Sequence, residues 1–555
     1  MNAFRVAERG ATYELQTVTP SIKGETFDLM ATAPEGVAKL RGLILALALR
    51  GRLVDQDPID EPADQLLASS RRKWHQLMDA GTIKRERPAA PITAEEKRFL
   101  LPSGWVWCRI VDTAQYINGL AFKPSDWGTA GRPIIRIQNL SGRNADYHRT
   151  ATDVDPSVVV RQGDILVSWS ATLDAFIWTG EEGVLNQHIF RVTPSPLLDR
   201  QFLFWLLKGS IQELAASDHA HGLVMSHVNR GPFLAHAVAI PPLAEQRRIV
   251  ARVEDLMGLC DELEAHCRLQ DEQHARLIFT LFDALVASTS PEELAANWQR
   301  VASHFDLLLD RPEAADALEQ TILQLAVRGL LVERRLTENH DCEPTYQSIA
   351  MFPVPRAWKW VEMASVLESG PSNGFSPKPS ETQVGIRCLT LTATTKGYFR
   401  DGFYKFIDIG HELAAKYFLK RGDLLIQRAN SLEYVGIAAI YDGDDDEYTF
   451  PDLIMRMRVL PDVISNRYLH IWLLARDARW YFQAKATGTQ GNMPKINQAV
   501  VRGIPVPLPP ITEQHRIVAR VEELRGICAD LRHHLQQAQA TRSKLANTSV
   551  AQAMA

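Results

Sequence analysis

Residues 241–263 read PPLAEQRRIVARVEDLMGLCDEL, residues 509–531 read PPITEQHRIVARVEELRGICADL, and fifteen of the 23 positions are identical. A segment present twice, 268 residues apart, marks an internal duplication. After each Pro-Pro pair the apolar residues fall four and three apart, which is the a/d stripe of a coiled coil. In the first copy the stripe runs Ile249, Val253, Leu256, Cys260 and Leu263; in the second it runs Ile517, Val521, Leu524, Cys528 and Leu531. Gln270 and His274 interrupt the first stripe further on, and Arg542 the second. Each pattern predicts a helix of about 35–40 residues, roughly 50–60 Å at 1.5 Å per residue. One apolar stripe needs a cover, and the chain supplies two that match.

Further echoes lie in the same order in each half. Ile44–Val54 (ILALALRGRLV) matches Ile322–Val332 (ILQLAVRGLLV) at eight of eleven positions. Pro102, Trp105 and Trp107 (PSGWVW) return as Pro355, Trp358 and Trp360 (PRAWKW), and Gly163–Val167 (GDILV) returns as Gly422–Ile426 (GDLLI). Between these landmarks lie two unlike blocks, Pro102–Ile240 and Pro355–Leu508. Short β-rich runs at Pro133–Ile137, Asp164–Ser168, Ile386–Leu391, Asp423–Gln427 and Val435–Tyr441 alternate there with Gly, Asp, Asn and Pro turns. Each block has one helical segment, Phe202–Leu214 or Arg467–Ala484, so each reads as a mixed α/β domain. Ser290–Arg311 and Ala314–Arg328 add helices between the halves, with Pro291 and Pro312 at their starts.

Composition narrows the class only broadly. The chain has 555 residues, 46% hydrophobic and 23% charged, ordinary values for a globular protein of several domains. The N-terminal apolar run Leu43–Leu49 is too short to cross a bilayer. No basic segment followed by an apolar one and a cleavage site opens the chain, so no signal peptide is expected. Six cysteines without a CxxC pair argue against a disulfide framework or zinc ribbon, and a cytoplasmic setting is expected. A net charge of −5 does not advertise a nucleic-acid binder, although local basic surfaces are compatible with it.

No catalytic constellation emerges. GxxxxGK[ST] is absent, and so are a GxGxxG opening a helix and a [DNS]PP[YF] methyltransferase motif. The Pro-Pro pairs read as helix punctuation. His219, His221 and His227 are metal ligands by type but lack a matching partner set, so no metal is expected. Asp444–Glu447 (DDDE) reads as a solvated turn. Cys260 and Cys528 hold equivalent stripe positions, which indicates packing rather than redox or nucleophilic work. The chain is expected to bind rather than transform.

The motifs together resemble the specificity (S) subunit of type I restriction–modification systems, over about residues 30–545. The stretch NWQRVASHFDLLLDR (Asn297–Arg311) resembles one branch of that family. The resemblance implies an α+β fold: two mixed α/β target recognition domains separated by a pair of long antiparallel coiled-coil helices, with a pseudo-two-fold internal repeat. It implies an N-terminal helical conserved region at 1–100 and a first recognition domain at 101–240. A central conserved region with the long helix and additional helices follows at 241–350. The second recognition domain is then 351–508, and the C-terminal conserved helix 509–555. It further implies that this chain is not an enzyme and holds no cofactor. Each domain would read one half of a bipartite double-stranded DNA site. Two methyltransferase (M) subunits would bring adenine-N6 methylation with S-adenosylmethionine, and two restriction (R) subunits ATP- and Mg2+-dependent cleavage. No membrane partner is implied.

Side chains able to meet base edges or phosphates nominate the DNA contacts. In the first block these are Arg136, Gln138, Asn139 and Arg143 after a predicted strand, and Ser168 and Ser170 beyond GDILV. In the second they are Arg428, Asn430 and Ser431. The Gly-rich stretch TGTQGNMPK adds Thr487, Gln490, Asn492 and Lys495, with Gly488 and Gly491 allowing backbone amides to approach a phosphate. The PxxWxW tryptophans read either as anchors of a domain edge or as stacking platforms. The rival to DNA recognition is a coiled-coil protein-interaction scaffold without DNA specificity.

Overall fold

The structure, a computed structural model, describes residue 30 and residues 33–79, 90–170, 173–195, 198–216, 230–332, 349–381, 384–488 and 493–554. It divides into two compact units, Met1–Leu269 with Gln539–Ala555, and Gln270–Ala538.

The first unit opens with α1 (Gly36–Leu49) and α2 (Ala63–Asp79). Leu40, Leu43, Ile44, Leu47 and Ala48 bury one side of α1. The helix stops at the Arg-Gly pair: Gly51 takes φ +67°, Arg52 N–H donates to Leu47 O at 2.9 Å, and Gly51 N–H donates to Ala48 O at 3.3 Å. This is the glycine-terminated C-cap that satisfies the last carbonyls of a helix.

Ten strands follow: β1 (Val106–Arg109), β2 (Ala114–Asn118), β3 (Arg132–Ile135), β4 (Arg149–Thr150), β5 (Val159–Val160), β6 (Ile165–Ser168), β7 (Asp174–Ile177), β8 (Gly183–Leu185), β9 (Ile189–Pro194) and β10 (Ala237–Ile240). Among them lie α3 (Ile137–Leu140), α4 (Arg200–Ala216) and α5 (Arg230–Ala235). The larger sheet has the order β2-β9-β6-β7 and is antiparallel throughout; the smaller has the order β4-β3-β8-β5, with β3 and β8 parallel. β1 and β10 pair alone, Val106 opposite Ile240, and close the block on itself.

The second unit repeats this plan. Its early helices are α7 (Pro291–Ala302), α8 (Phe305–Leu308) and α9 (Pro312–Val327), which follow α6 (Leu243–Ala287). Its strands are β11 (Lys359–Glu362), β12 (Leu367–Asn373), β13 (Ile386–Leu389), β14 (Tyr404–Ile407), β15 (Leu424–Gln427), β16 (Ala438–Ile440), β17 (Tyr448–Thr449), β18 (Ile454–Val459) and β19 (Pro505–Leu508). The remaining helices are α10 (His411–Ala414), α11 (Asn466–Leu474), α12 (Arg476–Lys485), α13 (Gln498–Arg502) and α14 (Ile511–Met554). The larger sheet runs β12-β18-β15-β16, the smaller β14-β13-β17 with β13 and β17 parallel, and β11 pairs with β19. Apart from β5, which has no counterpart, this is the order of the first unit.

The long helices α6 and α14 have 45 and 44 residues, longer than the apolar stripe predicts. Gln270, His274 and Arg542 break the stripe but not the helix, because such residues cost a helix only tenths of a kcal/mol, about 0.7 at most. Ile249, Val253, Leu256 and Cys260 are buried in one cluster with Leu40, Leu43 and Leu47 of α1, and Val550, Ala553 and Met554 of α14 join it. In the second unit Ile517, Val521 and Cys528 are buried with Leu318 and Ile322 of α9 and with Ile278, Phe282 and Leu285 of α6. Leu263, Leu524 and Leu531 are half-buried against the same clusters. Each unit therefore contains the beginning of one long helix and the end of the other, the antiparallel order. Each stripe also has a second cover inside its unit: the helix that ends in Arg-Gly.

Two expected single helices are divided. Arg467–Ala484 breaks at buried Ala475, which is extended (φ −68°, ψ 147°); beyond it Asp477 pairs with Arg328 at 3.1 Å and ties the new helix to the Arg-Gly turn of α9. Ser290–Arg311 breaks after Ala302, where His304 leaves helical geometry before α8.

Candidate nucleic-acid interface

The repeated motifs meet at one place in each unit and fasten the β-rich block to the start of a long helix. Trp105 Nε1–H donates to Glu245 Oε2 at 3.0 Å, and Trp358 Nε1–H donates to Glu513 Oε2 at 3.0 Å. A Cβ on Gly51 would lie 2.5 Å from Pro102 and 2.9 Å from Trp105; on Gly329 it would lie 2.5 Å from Pro355 and 3.2 Å from Trp358. The Arg-Gly turn, the PxxWxW entry and the Glu of PP-x-x-EQ are thus one contact, made twice. Burial in this contact raises the carboxyl pKa of Glu245, opposed by its bonds to Gln56 and Trp105.

The adjoining glutamines complete the fastening. Gln246 accepts Asp199 N–H at 2.9 Å and donates to Pro241 O at 3.0 Å; Gln514 accepts Ser465 N–H at 2.8 Å and donates to Pro509 O at 2.9 Å and Val463 O at 3.1 Å. Both side chains are fully buried. Each pins the entry of α4 or α11 to the first turn of α6 or α14. The tryptophans are the edge anchors of the structural reading: Trp105, Trp358 and Trp360 are buried, and Trp107 packs on Phe99 with ring centres 4.9 Å apart.

Asp164 and Asp423, of the repeated Gly-Asp pairs, brace the larger sheets. Asp164 accepts from Arg191 Nε–H at 2.9 Å and Arg161 N–H at 2.8 Å; Asp423 accepts from Arg458 Nε–H at 2.6 Å and Lys420 N–H at 2.9 Å. The acidic turn after β16 is met by neighbouring cations, Arg421 on Asp442 at 3.1 Å and Lys420 on Asp446 at 2.6 Å. Burial raises the Cys260 and Cys528 thiols to about 11, so both are inert packing groups. Among the described residues no cluster of His, Cys, Asp or Glu is arranged to hold a metal. The three histidines at 219, 221 and 227 lie outside the described residues.

In the first unit the nominated side chains fall into two settings. Arg136 precedes α3, with its guanidinium 5.9 Å from the Trp127 ring, and Gln138 is half-buried on α3. Asn139 spends its amide locally: it accepts Arg136 N–H at 3.1 Å and donates to Asn144 O at 3.0 Å and Asp146 O at 2.9 Å. That clamp shapes the loop on which Arg143 is exposed. Ser168 and Ser170 are buried, Ser168 accepting Asp174 N–H at 3.3 Å where β6 meets β7.

In the second unit two separate stretches come together. Asn430 N–H donates to Pro494 O at 3.3 Å, Ile496 N–H to Arg428 O at 2.9 Å, and Thr487 and Lys495 exchange two backbone bonds at 2.9 Å. Ser431, Thr487 and Lys495 are exposed there, and Arg428 and Asn430 half-buried. Gln490 and Asn492 lie outside the described residues. Gln427, the last residue of β15, organises this corner. Its buried amide faces Leu391 O at 2.8 Å, Thr394 Oγ1 at 2.9 Å and Thr395 Oγ1 at 3.0 Å, and accepts from Asn430 Nδ2 at 2.7 Å.

The model of the type I restriction modification DNA specificity domain matches residues 102–271 and 355–538. The chain belongs to that family. It is a type I DNA specificity subunit, a recognition component rather than a catalytic one. It is similar to the EcoEI specificity subunit of Escherichia coli, 28% identical over 551 residues, covering 92% of this chain and 93% of that one. The Escherichia coli EcoAI specificity subunit is likewise 28% identical, over 554 residues, with the same coverage. Among solved structures, the HsdS subunit of Thermoanaerobacter tengcongensis is 17% identical over 83% of this chain and 98% of that one, with a TM-score of 0.34. A chain from a study of type I complex assembly and conformational transition is 16% identical over 82% of this chain and 99% of that one, with a TM-score of 0.48.

Two features of this specificity subunit carry no motif. In the first unit the half-exposed Trp127 stacks on His148 at 4.3 Å and 8°, beside Arg136. In the second, half-exposed Phe375 stacks on Tyr417 at 5.7 Å and 16°, and the Lys416 ammonium lies 5.0 Å from the Tyr417 ring. Each β-rich block thus presents an aromatic pair flanked by a cation, the chemistry that suits nucleic-acid surfaces. Among the described residues no helix is long and apolar enough to cross a membrane.

Proposed function

We propose that residues 101–240 and 351–508 are two target recognition domains, each reading one half of a bipartite duplex. Residues 1–100, 241–350 and 509–555 then set the spacing of the two halves and dock the partner subunits. The observation that carries this reading is the pair of larger sheets with one strand order, in blocks each fastened to its own long helix by the same Trp–Glu and Gln contacts. The loops beyond those sheets differ between the two domains. Half-sites one helical turn apart lie roughly 34 Å from each other, and a helix of 45 residues rises about 67 Å, long enough to serve as a ruler. Arg136, Gln138, Arg143 and the Arg428–Ser431 and Thr487–Lys495 corner are the proposed DNA contacts, with Asn139, Ser168 and Ser170 supporting their loops.

Two M subunits carrying S-adenosylmethionine would supply adenine-N6 methylation, and two R subunits would supply ATP- and Mg2+-dependent cleavage, all in the cytoplasm. No observation favours the scaffold without DNA specificity. Mapping N6-methyladenine in cells expressing the M partner, with and without this chain, tests the reading. One bipartite sequence with unequal halves is expected, and Arg143→Ala should relax one half while Arg428→Ala relaxes the other. No chain-dependent methylation would refute it.

A further inference from the structure

The two units share one more echo, at the equivalent strands β2 and β12. Asn118–Ser125 reads NGLAFKPS and Asn373–Ser380 reads NGFSPKPS, identical at five of eight positions. Both segments leave the edge strand of the larger sheet, β2 or β12, and cross to the smaller sheet. The crossing is held alike. Gly119 N–H donates to Ile189 O at 3.1 Å and Leu120 N–H to Leu185 O at 2.9 Å; Gly374 N–H donates to Ile454 O at 3.1 Å and Phe375 N–H to Phe450 O at 3.0 Å. The segments then reach equivalent strands at different points: Gly128 N–H, three residues past the Lys-Pro-Ser, donates to Arg149 O of β4 at 2.7 Å, and Ser380 N–H, within it, to Phe406 O of β14 at 2.8 Å.

The fold explains the glycine. A Cβ at Gly119 or Gly374 would sit 2.1 Å from a carbonyl oxygen, of Asn186 or Phe450, so no other residue fits. The fold does not explain the lysine. Lys123 and Lys378 are exposed, and neither ammonium has a hydrogen-bond or ion-pair partner among the described residues. The nearby carboxylates are engaged elsewhere, Asp126 with the Lys123 backbone N–H at 2.7 Å and Asp452 with the Ser376 hydroxyl. Each loop also displays one of the stacked aromatics, Trp127 or Phe375.

Two domains that read different sequences have no reason to share a base-reading side chain. They have good reason to share a contact blind to sequence, because phosphate contacts fix register and orientation without selecting bases. We propose that Lys123 and Lys378 are matched phosphate contacts that seat the two recognition domains on the DNA backbone in the same manner. The proposal rests on the DNA-recognition reading above.

The test measures binding of the full chain, assembled with its methyltransferase subunits, to two duplexes over a range of salt. One duplex carries the site identified by methylation mapping, and the other an unrelated sequence. Each phosphate contact contributes about 0.9 to the slope of log affinity against log salt. Lys123→Ala and Lys378→Ala should each flatten the slope by about that amount on both duplexes, and the double variant by about twice as much. A fourfold rise in salt should then weaken the wild-type complex about 3.5-fold more than either single variant. Lys123→Arg should restore the slope, the methylated sequence should not change, and Lys359→Ala, at an exposed position on β11, should leave the slope intact. Unaltered slopes in the double variant, with the wild type binding its site, would overturn the proposal alone. A wild-type complex that neither binds nor methylates DNA would instead overturn the function it rests on.

Discussion

Replacing Gln514 by alanine should detach the second recognition domain from its helix at a single point. The amide is fully buried and its orientation is dictated by its partners, one N–H on one side and two carbonyls on the other. Truncation removes three hydrogen bonds of about 1 kcal/mol each and leaves Ser465 N–H, Val463 O and Pro509 O to find water or nothing. The lost side-chain volume adds about 1 kcal/mol or more, so a total near 4 kcal/mol is expected. Gln246 has two such bonds, so Gln246→Ala should cost about 1 kcal/mol less. Gln514→Leu refills the volume without the bonds and should keep about 3 kcal/mol of the loss.

A chain of several domains does not melt in one transition, so the readout must be local. Amide hydrogen exchange at Ser465 and Asp199 reports the two contacts separately, tenfold faster for about every 1.4 kcal/mol lost. Gln514→Ala should accelerate Ser465 by two orders of magnitude or more, leaving Asp199 and the β12-β18-β15-β16 sheet unchanged. Protection at Ser465 equal to wild type in Gln514→Leu would refute the claim that hydrogen bonds, rather than filled space, hold this corner.

Gly329→Ala places a Cβ 2.5 Å from Pro355 at φ +71° and should lose about 2–5 kcal/mol of local stability, read by amide hydrogen exchange at Leu330, whose N–H donates to Leu325 O. Gly402→Ala shares the positive φ but meets open space, so it should lose only about 1–2 kcal/mol; equal losses would remove the packing argument. Asp423→Ala breaks an ion pair whose carboxylate is 2% exposed, and should cost about 3–5 kcal/mol, read locally by amide hydrogen exchange in β15 and β18. Asp164→Ala, at 19% exposure, should cost distinctly less. Burial lowers the His470 pKa from 6.5 to about 4, while its Nε2–H faces Gly397 O and Ala438 O. Between those values the unfolded chain binds the extra proton, so this contribution is complete above pH 6.5 and is lost as pH falls toward 4. His470→Gln should therefore narrow its stability gap to wild type on acidification, and a gap constant with pH would contradict the assignment.

What could be read in the sequence was what is local or repeated. The stripe from Ile249 to Leu263 and its copy are short-range periodicities, and four of the five β-rich runs match strands to within two residues at each end, β16 starting three residues after Val435. Partners distant along the chain could not be read. Glu245 and Gln246 look like the first turn of a helix until Trp105 and Asp199 arrive from 140 and 47 residues away. Ser168 looks like the exposed end of a strand, but burial on both faces of β6 takes it inside. Asn139 has the right chemistry for a base edge, yet its amide is spent on three backbone groups nearby. The Asn-Gly-x-x-x-Lys-Pro-Ser echo is visible in the letters but gains meaning only when β2 and β12 are known to be equivalent strands.

A duplicated binding protein sorts its residues by what each must be indifferent to. The Trp–Glu contact, the buried glutamine and the Arg-Gly turn face only the protein, so the same solution serves both halves: Trp105 with Glu245 and Trp358 with Glu513 at the same 3.0 Å. A phosphate contact faces DNA but not its sequence, and there too one solution serves both, as at Lys123 and Lys378. Residues that discriminate bases are free of that constraint, and the proposed contacts lie at two corners where the units diverge, the turn bearing Arg143 and the meeting of Arg428–Ser431 with Lys495. Had the divergence fallen at the helix starts instead, two domains could still bind DNA, but nothing would hold their half-sites at one spacing.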